Sequence, residues 1–206
     1  MKCFNLFVLL FLVCFSHQTF AKRALRFNES DITFRKSLDE AYQRFGKIYE
    51  PYKAENSNFD RAEATQLQIL LSLTDMAVIE KVVLLEFIGK IHDGEIDRDT
   101  PHKDYYDEIL TELESLEVSD RIKKIKEGVI KGIKFHREVL DAWLMAARKN
   151  NVKSVMNEHG RWVHPGTSAG DKIFYELYTN YIRNNFKEEN PESLEAISRH
   201  LCVLVF

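Results

Sequence analysis

Between residues 60 and 91 the chain has no proline and almost no wet face. Leu67, Leu70, Leu71, Leu73, Met76, Ile79, Val82, Val83, Leu85, Phe87 and Ile88 crowd this stretch. A helix that is apolar nearly all round belongs inside a protein, so the rest of the chain must wrap it. Asp75, Glu80, Lys81, Glu86 and Lys90 interrupt the run and argue against a membrane span. Thr74 or Asp75 could cap a second helix midway, so the stretch reads as one long helix or two. Glu80 and Glu86 are six residues apart and do not share a helix face. They are expected at the rim or paired with Lys81 and Lys90.

The remaining helices follow from periodicity and punctuation. Ile32, Phe34, Leu38, Tyr42 and Phe45 have helical spacing over 31–45. Thr100 and Pro101 offer a capping hydroxyl and a proline at the first helical position, predicting a helix to about Leu116. Ser119 and Asp120 open a long helix over 120–149, with Ile122, Ile125, Val129, Ile133, Leu140, Leu144 and Ala147 as its stripe. Gly128 and Gly132 lie one turn apart on it. Each costs about 1 kcal/mol against alanine, which close approach of another helix would offset. Two more helices are expected over 171–186 and from Pro191 to the end. The fold class is therefore all-α, a single-domain bundle of six or seven helices over 22–206. A short β-hairpin near 155–163, turning at His159 and Gly160, is the one non-helical alternative.

The first 21 residues have a different character. Lys2 is followed by an apolar run of about 12 residues, shorter than the roughly 20 a spanning helix needs, and Ala21 offers a cleavage point. This is the layout of a cleaved signal peptide, so the body of the protein is expected to be exported, periplasmic or secreted, with no transmembrane span after cleavage. Cys14 raises a lipid-attachment alternative, although Val13 before it is large for that role. Cleavage would remove Cys3 and Cys14 and leave Cys202 alone, so no internal disulfide is expected. Cys202 lies in an apolar C-terminal run and is expected to be buried. The triplet Asn28-Glu29-Ser30 is a sequon that chance alone often produces.

Charge is unevenly spread. Residues 93–120 hold 11 acidic and 2 basic side chains, whereas 121–161 hold 11 basic and 4 acidic. Two neighbouring helices attracting one another would explain this; one field facing a partner is the sharper reading. The basic run from Arg121 to Lys126 would also suit an anionic membrane surface. Nucleic acid is excluded as a partner class, because the chain carries a net charge of −3 and no recognised binding module.

Two clusters could carry chemistry. Asp93, Glu95, Asp97, Asp99 and Asp104 resemble the oxygen ligands of an EF-hand loop. Arg98 stands where that loop needs glycine, and Asp104 stands where a longer glutamate is usual. The plain expectation is an acidic solvated turn, with calcium as the alternative and otherwise no cofactor. The second cluster, 157–171, holds His159, Arg161, Trp162 and His164 before a helix. His159, Arg161 and His164 are the candidate catalytic residues, as base or anion-holding groups, of a small hydrolase or ligand-binding bundle. Trp162, Arg161 and His136 are the candidate partner-binding residues; a core role for His136 is the plainer reading, since it falls on an apolar stripe. There is no Walker spacing, nucleophile elbow, zinc-hydrolase pair or di-iron motif. The expectation is a non-enzymatic exported protein that binds another protein.

Overall fold

The computed structural model describes residues 52–205. The leader, Cys3, Cys14, the sequon and the expected helix over 31–45 lie outside the described residues. What is described is mostly helical. α1 spans Arg61–His92, α2 Tyr106–Ser115, α3 Asp120–Arg148, α4 Pro165–Glu176, α5 Ile182–Asn185 and α6 Pro191–Cys202. A π-helical turn, Leu177–Tyr181, joins α4 to α5 without a break, so these three form one rod. Short 3₁₀ turns occupy Ala54–Asn56 and Val152–Val155.

α1 is a single helix. Asp60 caps it by accepting from the Glu63 N–H at 2.9 Å. The Thr74 hydroxyl donates back to the Leu70 carbonyl, so it interrupts nothing. α2, α3, α6 and the first 3₁₀ turn all pack on α1. That encirclement is why Leu67, Leu70, Leu71, Leu84 and Ile88 are buried on several sides of one helix.

α3 makes its largest interface with α4, and glycines set the closeness of that pair. A Cβ at Gly132 would enter the Phe174 ring, and one at Gly128 would lie 2.8 Å from Leu177 Cδ1. From the other side, a Cβ at Gly170 would stand 2.5 Å from the His136 ring, and one at Gly166 3.0 Å from Val139. The second half of this seam explains a departure from the sequence reading. The helix expected from residue 171 begins at Pro165, with His164 as its cap, because Gly166 and Gly170 lie in its first turns against α3.

The helix expected at Thr100-Pro101 instead starts at Tyr106, and Asp104 rather than Thr100 receives the early donor, accepting from the Tyr106 N–H at 2.7 Å. Tertiary contacts hold the intervening residues out of helix. The Thr100 carbonyl accepts from Arg148 at 2.9 Å, and His102 is drawn to Glu80. The hairpin near 155–163 reduces to one antiparallel bridge, Met156 with Trp162, and no strand forms among the described residues. Cys202 is exposed, not buried, and lies beside Tyr178. Leu201 and Leu204 take the inward positions around it.

Much of the charge asymmetry is met inside the bundle. Arg137 of α3 reaches Asp104 at 3.2 Å, pairs with Asp107 and approaches Asp141 at 3.9 Å. Lys134 pairs with Glu114 at 2.7 Å. Lys126 donates to the Glu114 and Leu116 carbonyls, a cation closing the C-terminus of α2. Arg121 joins Glu63 at 2.7 Å, pairs with Glu188 and lies over the Phe59 ring.

Candidate functional site

In the loop with the densest reactive side chains, the structure turns those side chains in different directions. The Asn157 side chain accepts from the His159 and Arg161 N–H groups, and Gly160 takes φ +71° to close the turn. This local fold leaves the His159 ring about 70% exposed beside Glu158, and Arg161 exposed as well. Trp162 turns the other way, with its ring 5.6 Å from Trp143 and 5.8 Å from His92. The next residue's carbonyl, that of Val163, accepts from the Trp143 indole N–H at 3.3 Å. His164 Nδ1 accepts from the Gly166 N–H at 3.0 Å, which is a helix cap. Its capping nitrogen therefore serves the backbone. The loop is anchored by Trp162, and His159, Arg161 and His164 have separate employments.

The acidic stretch likewise divides. Asp93, Glu95, Asp97 and Asp99 are exposed, while Asp104 is turned to Arg137 and the Tyr106 N–H. Among the described residues no three His, Cys, Asp or Glu side chains gather as metal ligands would.

Inside the bundle the structure brings together groups that sequence spacing did not connect. His200 of α6 donates from Nδ1 to Asp75 of α1 at 2.6 Å. Its Nε2 accepts from the Tyr52 backbone N–H at 3.2 Å. A backbone amide only donates, so this ring is the Nδ1–H tautomer. An Asp–His pair with a free Nε2 would be a general base held by its orienting carboxylate. Here that nitrogen is occupied by the chain itself, and the pair ties α6 and the segment before α1 to the central helix.

Lys81 extends the same pattern. Its Nζ donates to the carbonyls of Val203, Leu204 and Val205 at 3.2, 2.8 and 3.0 Å. These carbonyls lie at and just beyond the C-cap of α6, so the ammonium ties the tail after that helix to α1. Burial pulls the Lys81 ammonium down to about 8, with Asp171 opposing the shift. His136, also buried, faces Asp171 from Nε2 at 3.2 Å. Burial, with the Lys81 charge nearby, drives its pKa down to about 3. Glu80 meets His102 at 3.3 Å, and its other oxygen has no partner. Burial raises the Glu80 pKa. Glu80 is thus fully inside, whereas Glu86 sits on the surface and pairs with Lys90 at 2.9 Å.

An opening in the described surface lies elsewhere, between α3 and the α4–π–α5 rod. It is an open groove of about 530 Å³. Gly128 and Leu177 form its floor, and Lys124, Lys131, Asn180 and Asn184 stand along its walls. The glycine at 128 admits the Leu177 side chain, and the π turn forms part of the facing wall. Such turns recur at functional positions. The only hint of this wall in the sequence is the trio of carboxamides Asn180, Asn184 and Asn185, which names no groove by itself. No helix among the described residues is long and apolar enough to cross a membrane. No family model matches the chain, and no curated protein or solved structure matches it.

Proposed function

We propose that this chain is a non-enzymatic helical protein, exported by its leader to the periplasm or beyond, that binds another macromolecule through the groove between α3 and the α4–π–α5 rod. The observation that carries this reading is where the histidines go. His200, His136, His102 and His164 contact Asp75, Asp171, Glu80 and the Gly166 N–H, and none lines the groove. Catalysis by general base needs such a nitrogen within reach of a substrate proton. The groove instead offers lysines, glutamates, carboxamides and an apolar floor, which is the equipment of a binding surface.

Site-specific photocrosslinking in the producing cells tests it. A photoreactive residue at Lys131 or Asn184 is expected to trap a discrete species outside the cytoplasm, and the same group at His159 is not. Trapping only at His159, or only cytoplasmic adducts, would refute the reading.

A further inference from the structure

The geometry points to an extended acidic peptide segment of a partner protein as the occupant of this groove. The inference rests on the binding reading above and names the chemistry that the surface recognises.

Carboxamides are the first reason. Asn180 and Asn184 are exposed, one helical turn apart, and neither side chain has a hydrogen-bond partner among the described residues. Asn185, beside them, donates to the Tyr181 carbonyl and is held locally. A carboxamide both donates and accepts, which is what the alternating N–H and C=O groups of an extended backbone require. The floor of Gly128 and Leu177 leaves room for small or aliphatic side chains between them.

The lysines supply the second reason. Lys124 and Lys131 stand on the α3 wall, two turns apart. Lys124 lies over the Tyr181 ring at 4.7 Å, and Lys131 has no ion pair among the described residues. Other cations of α3, such as Lys134 and Arg137, are already matched to Glu114 and to Asp104 and Asp107. At about 1.5 Å per residue, Lys124 and Lys131 are about 10 Å apart along the helix axis. That is about three residues of extended chain at about 3.3 Å each. A peptide whose carboxylates are spaced by a few residues therefore meets both ammonium groups at once.

Glu127 and Glu176 discriminate between anionic partners. Both line the same groove, and Glu176 has Lys172 within 4.0 Å. A continuous polyanion, such as nucleic acid or an anionic glycan, would be laid across Glu127. A peptide brings separated charges and can turn a backbone N–H toward it.

A phage-displayed library of random linear peptides, selected on the full chain, provides the test. Selection is expected to enrich peptides with paired Asp or Glu a few residues apart. Their affinity should fall about tenfold or more in Lys124→Glu/Lys131→Glu and in Asn180→Ala/Asn184→Ala, a loss of about 1.4 kcal/mol per decade. It should also weaken as salt is raised. If the charge-reversed variant does not fold, the asparagine pair decides. No enrichment, enrichment without acidic pairs, or affinity unchanged in the folded variants overturns the proposal. Should selection fail while crosslinking at Lys131 still traps a partner, the peptide assignment falls and the binding reading stands.

Discussion

His200 and Asp75 are 125 positions apart in sequence and 2.6 Å apart in space, and the bond between them is wholly buried. Because the Tyr52 N–H occupies the other ring nitrogen, one imidazole joins three parts of the chain. Removing it would leave a buried carboxylate without this donor and a backbone amide without its acceptor. His200→Ala is expected to destabilise the protein by about 3 kcal/mol or more, read as a lower urea midpoint. Asp75→Asn retains an oxygen acceptor and is expected to cost less. Equal midpoints for wild type and His200→Ala would show that the clasp contributes nothing.

Acid should attack a different position. Burial holds the His136 pKa down to about 3 in the fold, whereas an unfolded histidine binds a proton near the ordinary value of 6.5. Between those values the unfolded state holds more protons, so stability falls as pH drops through this window. At about 1.4 kcal/mol per unit the loss is bounded by about 5 kcal/mol. Lys81 and Asp171 are the charged groups facing the ring, and they are common to wild type and variant. Urea midpoints measured from pH 7 to 4 should decline less steeply in His136→Gln than in wild type. Parallel slopes would contradict the assignment.

Two glycines are expected to respond to alanine with opposite signs. At Gly132 the added methyl would enter the Phe174 ring, and the seam between α3 and α4 would open. Overpacking of this kind costs about 1–3 kcal/mol, against about 1 kcal/mol of helix propensity gained. At Gly89, within α1, nothing lies within 4 Å of the new methyl, so propensity acts alone. Gly132→Ala should lower the thermal midpoint and Gly89→Ala should raise it. A stabilised Gly132→Ala would mean that the seam is looser than described.

The acidic turn gives a metal prediction. Asp104 is engaged by Arg137 and by the Tyr106 N–H, so reaching a cation at Asp93 and Asp97 would require breaking both contacts. Millimolar calcium, or its removal with chelator, is expected to leave the melting temperature unchanged. A calcium-dependent rise would restore the EF-hand resemblance as a working site.

Local signals marked the ends of several helices well. Asp60 before an apolar run, Asp120 after Ser119, and Pro191 after Asn190 each stand where a helix begins. Even here the chemistry differed in detail. Ser119 sits at the N-cap, yet its hydroxyl donates to Glu63 at 2.5 Å instead of capping α3. Where long-range contacts compete with local preference, the sequence misled. Thr100-Pro101 looks like a helix start, but Arg148 and Glu80 hold that segment out of helix. Pro165 looked like loop, because the value of Gly166 and Gly170 appears only when α3 is set beside them. Asp75, Lys81 and His200 carried one common hint, a polar residue inside an apolar run, and that hint names no partner. The groove was illegible for a related reason, since Lys124 and Asn184 belong to separate helices whose pairing depends on the glycine seam.

The central claim is that the buried histidines and charged side chains are engaged in holding helices together, and the histidine tautomers test it most directly. Nitrogen NMR of the ring-labelled full chain near pH 7 should find opposite forms in two buried rings: Nδ1–H in His200, facing Asp75, and Nε2–H in His136, facing Asp171. Rings that exchange rapidly between tautomers, or a His200 ring protonated on Nε2, would contradict the account by freeing the nitrogen that a general base requires.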